Sequence, residues 1–63
     1  MGIEQLNQIE NFMIAHKSIS FKATELRDRL GMNYYTLVSS LNYLVSKKVL
    51  IKKKKQYIYG GKL

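Results

Sequence analysis

Two apolar-striped runs, residues 23–30 and 34–47, stand three residues apart, and the residues between them are Gly31, Met32 and Asn33. Glycine supplies the positive φ with which a helix commonly ends, and asparagine is among the best residues to start the next one. The second helix must therefore turn back sharply on the first. Ala23, Leu26 and Leu30 form one apolar seam, and Leu37, Leu41 and Leu44 form the other, with Met32 packing just before it. Glu25 lies near the positive end of the first of these helices, while Lys47 and Lys48 stand at the negative end of the second.

Upstream, Ile3, Leu6, Ile9 and Met13 recur at helical spacing, with Phe12 widening the stripe and Glu, Gln and Asn filling the other face. This predicts a first helix over 3–16. Ser18-Ile19-Ser20-Phe21 alternates polar and apolar and predicts a short strand over 18–21. After residue 48 the period changes. Val49-Leu50-Ile51 and Gln56-Tyr57-Ile58-Tyr59 are strand-like runs around four lysines, which predicts a β-hairpin over 49–59. Its turn has no Gly, Asn or Pro, so the register is open. Tyr57 and Tyr59 fall on one strand face and are expected to close the core.

The expected fold is mainly α with a small β-hairpin, in one domain over residues 1–63. A chain this short buries only about 60% of its unfolded surface, which leaves no room for a second core. Cysteine is absent and His16 is the one histidine, so no thiolate or multi-histidine metal set is available and no cofactor is expected. No apolar run approaches the roughly 20 residues of a membrane span, and no signal-peptide pattern opens the chain. A soluble cytoplasmic or nucleoid-associated protein is expected. Paired carboxylates, a nucleophile beside a base and a P-loop are all missing, so no catalysis is expected.

Charge carries the functional signal. Through Ser46, four cations (Lys17, Lys22, Arg27, Arg29) balance four anions (Glu4, Glu10, Glu25, Asp28). From Lys47 onward there are seven lysines and no acid, which accounts for the net charge of +7. Such one-sided basicity, interleaved with strand-forming aromatics, is the footprint of a polyanion-binding surface. The nine lysines against two arginines, with abundant Ile, Asn and Tyr, match the coding bias of an A·T-rich genome such as a virus or mobile element.

The stretch Thr24-Glu25-Leu26, Leu30-Gly31-Met32-Asn33, Thr36-Leu37, Leu41, Leu44 and Lys48-Val49-Leu50-Ile51 resembles winged helix-turn-helix DNA-binding domains of the MarR-like and related small prokaryotic or viral regulators. The likeness spans residues 20–59 and lies in core and capping positions. It implies a three-helix domain whose third helix enters the major groove of duplex DNA. On that resemblance Asn42 is placed to pair with adenine. Thr36 and Ser39 bond base or phosphate, and Asn33, Tyr34 and Tyr35 lie at the DNA surface. Lys52, Lys53, Lys54 and Lys55 form the wing, and Arg27 and Arg29 hold a neighbouring phosphate.

The sequence departs from that pattern in one respect. No charged residue lies between Met32 and Ser46, so arginine readout of guanine is not available from the third helix. Tyr34, Tyr35, Val38 and Tyr43 alternatively form a protein interface, through which the chain serves as an adaptor in a larger replication or transcription complex. Single-strand binding by base stacking on the hairpin tyrosines is a third reading. Self-association through the first helix or the hairpin edge is also left open.

Overall fold

A computed structural model describes residues 2–61; Met1 and Lys62, the latter one of the seven C-terminal lysines, lie outside them. Three helices and three strands follow in the order helix, strand, helix, helix, strand, strand, and the strands form one antiparallel sheet, a mixed α/β arrangement. Helix α1 spans Ile3–Ala15 and buries Ile9 and Met13 completely. Ile3, expected in the same stripe, is 75% exposed. It lies near the start of the helix, about 120° around the axis from Ile9 at 3.6 residues per turn. The half-buried His16 ends α1, its Nδ1 2.9 Å from the Phe12 carbonyl and its ring stacked on Phe12 at 4.4 Å.

The extended segment begins later than its alternation implies. Strand β1 is Phe21–Lys22, because the Ile19 amide donates to the His16 carbonyl at 2.9 Å and turns residues 16–19 away from the sheet. Ser20 is held by its side chain instead, donating to Gln56 Oε1 at 2.9 Å. Helix α2, Ala23–Leu30, matches its expected bounds. Glu25 Oε1 accepts the Lys22 amide at 2.9 Å and caps the first turn. At the other end Gly31 adopts φ 66°, the left-handed conformation its position implies.

Asn33 starts helix α3, Tyr34–Ser46, with its Oδ1 accepting from the amides of Tyr35 at 2.9 Å and Thr36 at 3.2 Å. Leu37, Leu41 and Leu44 face the core with Ser40, whose buried hydroxyl has no hydrogen-bond partner among the described residues. The helix stops one residue short of its expected end. Lys48 takes φ 65°, its amide donates to Val45, and the Val49 amide reaches back to the Leu44 carbonyl at 2.9 Å. These two bonds satisfy the last carbonyls of α3, while Val49 and Leu44 bury together beneath them.

Strands β2, Leu50–Lys53, and β3, Gln56–Tyr59, form the hairpin, and β1 adds to the far side of β3 in the order β1-β3-β2. The short strand expected before α2 thus joins the hairpin as the third strand of its sheet, since Phe21 pairs with Tyr57 and Lys22 with Gln56. Lys53 pairs with Gln56, which leaves a two-residue turn, Lys54-Lys55. Lys54 holds φ 58° there, a conformation usually given to Gly or Asn. Tyr57 is buried and Tyr59 packs against the core, as the alternation of β3 predicts.

Candidate nucleic-acid interface

Helix α3 carries its four core residues on one side, which fixes what the rest of it can present. At about 100° per residue, Tyr35, Ser39, Asn42 and Ser46 form the ridge farthest from that core. All four are exposed, Tyr35 at 79%. The ridge bears hydroxyls, one carboxamide and one aromatic ring, and no charge. Tyr34, Val38 and Val45 lie on the flank of α3 nearer the hairpin; Thr36 and Tyr43 lie on the flank nearer α1. Tyr34 and Tyr43 stand about half a turn apart, so the four residues expected as one protein interface do not share a face.

Cations gather on the Tyr34 side. A cleft of about 250 Å³ is lined by Lys22, Ala23, Thr24, Tyr34, Lys52, Lys55 and Tyr57. Strand register explains the position of Lys52. Lys52 pairs with Tyr57 and shares the inner face of β2 with the buried Leu50, so its ammonium turns toward the helices, 5.6 Å from the Tyr57 ring centre. Arg27 lies 6.0 Å from the Tyr34 ring centre and 3.2 Å from Asp28 Oδ1, the one ion pair among the described residues. Among the described residues, none of the lysines lining the cleft has a carboxylate within ion-pair distance.

The remaining hairpin lysines face elsewhere. Lys53 and Lys54 line the outer side of the hairpin with Lys22, Lys55 and Gln56. Lys22 and Lys55 therefore border both surfaces, and the four consecutive lysines of the hairpin divide between them rather than form a single row. Arg29 is set apart from them: its guanidinium lies 5.5 Å from the Phe21 ring centre, on the opposite flank of α2 from Arg27. Asn33 spends its carboxamide oxygen on the α3 cap, and Thr36 is half-buried, so each has less to offer a ligand than its position in the sequence implies.

Lys22, which lies in the electrically balanced part of the chain, is the residue that sequence reasoning left out. Only the β1–β3 pairing brings it beside the hairpin lysines. Lys47 and Lys48 were likewise read as helix-end residues, yet they line a second groove with Val45, Leu50, Ile51 and Lys52. No helix among the described residues is long and apolar enough to cross a membrane. No protein family, curated protein or solved structure matches this chain.

Proposed function

We propose that this chain is a winged-helix DNA-binding protein, a small transcriptional regulator or DNA-handling accessory. In this reading α2 and α3 make the helix-turn-helix and the β2–β3 hairpin is the wing. The observation that carries the reading is the placement of three lysines, Lys22, Lys52 and Lys55, in one cleft beside the uncharged ridge of α3. Phosphates bound there hold the duplex against the helix. The ridge then reads base edges. Thirteen residues of α3 extend about 20 Å, and a helix of this kind fits the major groove, which is about 12 Å wide.

With Asn42 as its one carboxamide and no arginine, the ridge favours adenine and thymine over guanine. The adaptor reading has less support, because Tyr34 and Tyr43 diverge around α3. Base stacking on the hairpin is weakened by the burial of Tyr57, 4% exposed.

Fluorescence anisotropy against duplex and single-stranded DNA at rising salt tests the proposal. If Lys22, the four hairpin lysines and Arg27 neutralise about six phosphates, log affinity against log salt falls with a slope near −5.4. Duplex binding that ignores salt, or no binding at low salt, would rule the mechanism out.

A further inference from the structure

A groove of about 650 Å³ runs along the free edge of β2, between that strand and the C-terminal end of α3. Its apolar lining is Val45, Leu50 and Ile51, and its charged lining is Lys47, Lys48 and Lys52, with no acid among the lining residues. Gly60 and Gly61 leave one end of it without side chains. Val45 is half-buried and Ile51 is 43% exposed, so apolar surface stays open to solvent beside the cations.

The backbone of β2 gives the groove a second property. Among the described residues the strand pairs on one side only, with β3, and Lys53 and Gln56 close the two-residue turn as a hydrogen-bonded pair. Such pairs alternate in an antiparallel ladder. Ile51 therefore also turns its N–H and C=O toward β3, while Leu50 and Lys52 turn theirs to the open side. Two donors and two acceptors thus lie along the groove. A nucleic-acid backbone offers phosphate acceptors and would leave the two carbonyls unmet, whereas an extended peptide supplies both kinds of group. Charge disfavours a second copy as the source of that peptide. Its own strand edges, β1 with Lys22 and β2 with Lys52 and Lys53, would bring lysine against lysine. We infer that this groove receives an extended acidic segment of another protein, which adds to β2 as the fourth strand of the sheet. The acidic side chains of the segment meet Lys48 and Lys52, and its apolar ones rest on Val45 and Ile51. Lys47 stands at the far rim, its ammonium 5.6 Å from the Tyr43 ring centre.

In this mode main-chain hydrogen bonds hold the segment and its alternate side chains select it. The inference stands independently of the DNA reading, and the groove shares only Lys52 with the cleft.

A fluorescent, terminally blocked peptide of alternating Glu and Val is the probe. Anisotropy reads its affinity for the full chain, and amide hydrogen exchange reads where it sits. Saturating peptide should slow exchange at the Leu50 and Lys52 amides by about tenfold. A peptide of alternating Lys and Val should bind about tenfold more weakly. Lys48→Glu should cost about tenfold in affinity. Lys48→Gly, which suits the left-handed turn and removes the charge alone, should cost about threefold. Circular dichroism confirms that both variants are folded. No binding at millimolar peptide overturns the inference, as does binding that leaves both amides exchanging freely or that is indifferent to Lys48 in folded variants. Duplex DNA that protects the two amides as well as the peptide does would assign the groove to nucleic acid and overturn it too.

Discussion

The amide of Gly60 donates to the carbonyl of Val49 at 2.7 Å, and a Cβ on Gly60 would stand 3.1 Å from that same oxygen and 3.2 Å from the carbonyl of Lys48. The end of β3 is thus seated directly on the turn that leaves α3. Both neighbours are backbone and have little freedom to retreat. Gly60→Ala should destabilise the protein by about 1–2 kcal/mol, read as a lower urea midpoint at constant slope.

Lys48 and Lys54 both hold left-handed backbone conformations, at φ 65° and 58°. A non-glycine residue there costs about 1–2 kcal/mol, part of which glycine gives back through the greater freedom of the unfolded chain. Lys48→Gly and Lys54→Gly should each raise stability by about 0.5–1 kcal/mol. Thermal unfolding measures this, and a fall in midpoint for either variant would show that the lysine side chain holds its turn.

The Ser40 hydroxyl is buried in the α3 face of the core without a partner among the described residues. Replacing it with alanine removes a desolvated polar group and leaves only a small void. Ser40→Ala should therefore be neutral or stabilising by about 1 kcal/mol. Marked destabilisation would reveal a hydrogen bond at that hydroxyl.

Lys22 tests whether the cleft, and not only the hairpin tip, holds phosphate. Lys22→Ala should reduce the salt slope of duplex binding by about 0.9, as much as Lys52→Ala or Lys55→Ala. Arg29→Ala should leave it unchanged, since its guanidinium lies over Phe21 on the other flank of α2. Equal losses from Arg29 and Lys22 would mean that charge alone, and not its placement, attracts DNA.

The α3 ridge makes the complementary prediction. Asn42→Ala should cost about 1–3 kcal/mol at a preferred site and much less on random duplex. Tyr35→Ala should likewise change the ranking of sequences more than the salt slope. Selection from a randomised duplex pool measures both, and a uniform loss across the pool would place base readout elsewhere.

Local chemistry made much of this fold legible. Asn33 capping α3, Gly31 ending α2 and the Leu37-Leu41-Leu44 stripe each follow from residue type and spacing, and each is found where that chemistry puts it. Pairing between distant segments was not legible. Nothing near Phe21 and Lys22 announces that they lie against Tyr57 and Gln56, thirty-four and more residues away. For the same reason Lys22 was missing from the candidate site. Arg27 and Arg29 were grouped although a two-residue step turns about 200° around a helix, which sets them on opposite flanks of α2 from local geometry alone. The two strained lysines were hidden for another cause: tertiary contacts on either side hold the backbone in a conformation that lysine does not choose alone.

Strand β2 lies at the edge of the sheet, with Leu50 and Ile51 followed by Lys52 and Lys53. A short apolar edge of this kind is a template on which the strands of other molecules can add, and adjacent ammonium groups are a common guard against it. The hairpin lysines therefore protect the free protein from its own copies whatever else they bind. Neutralising them, by acetylation or by mutation, would expose an uncharged ladder edge, and the protein would be expected to precipitate at concentrations the parent tolerates. The composition of this hairpin answers to solubility as well as to any ligand.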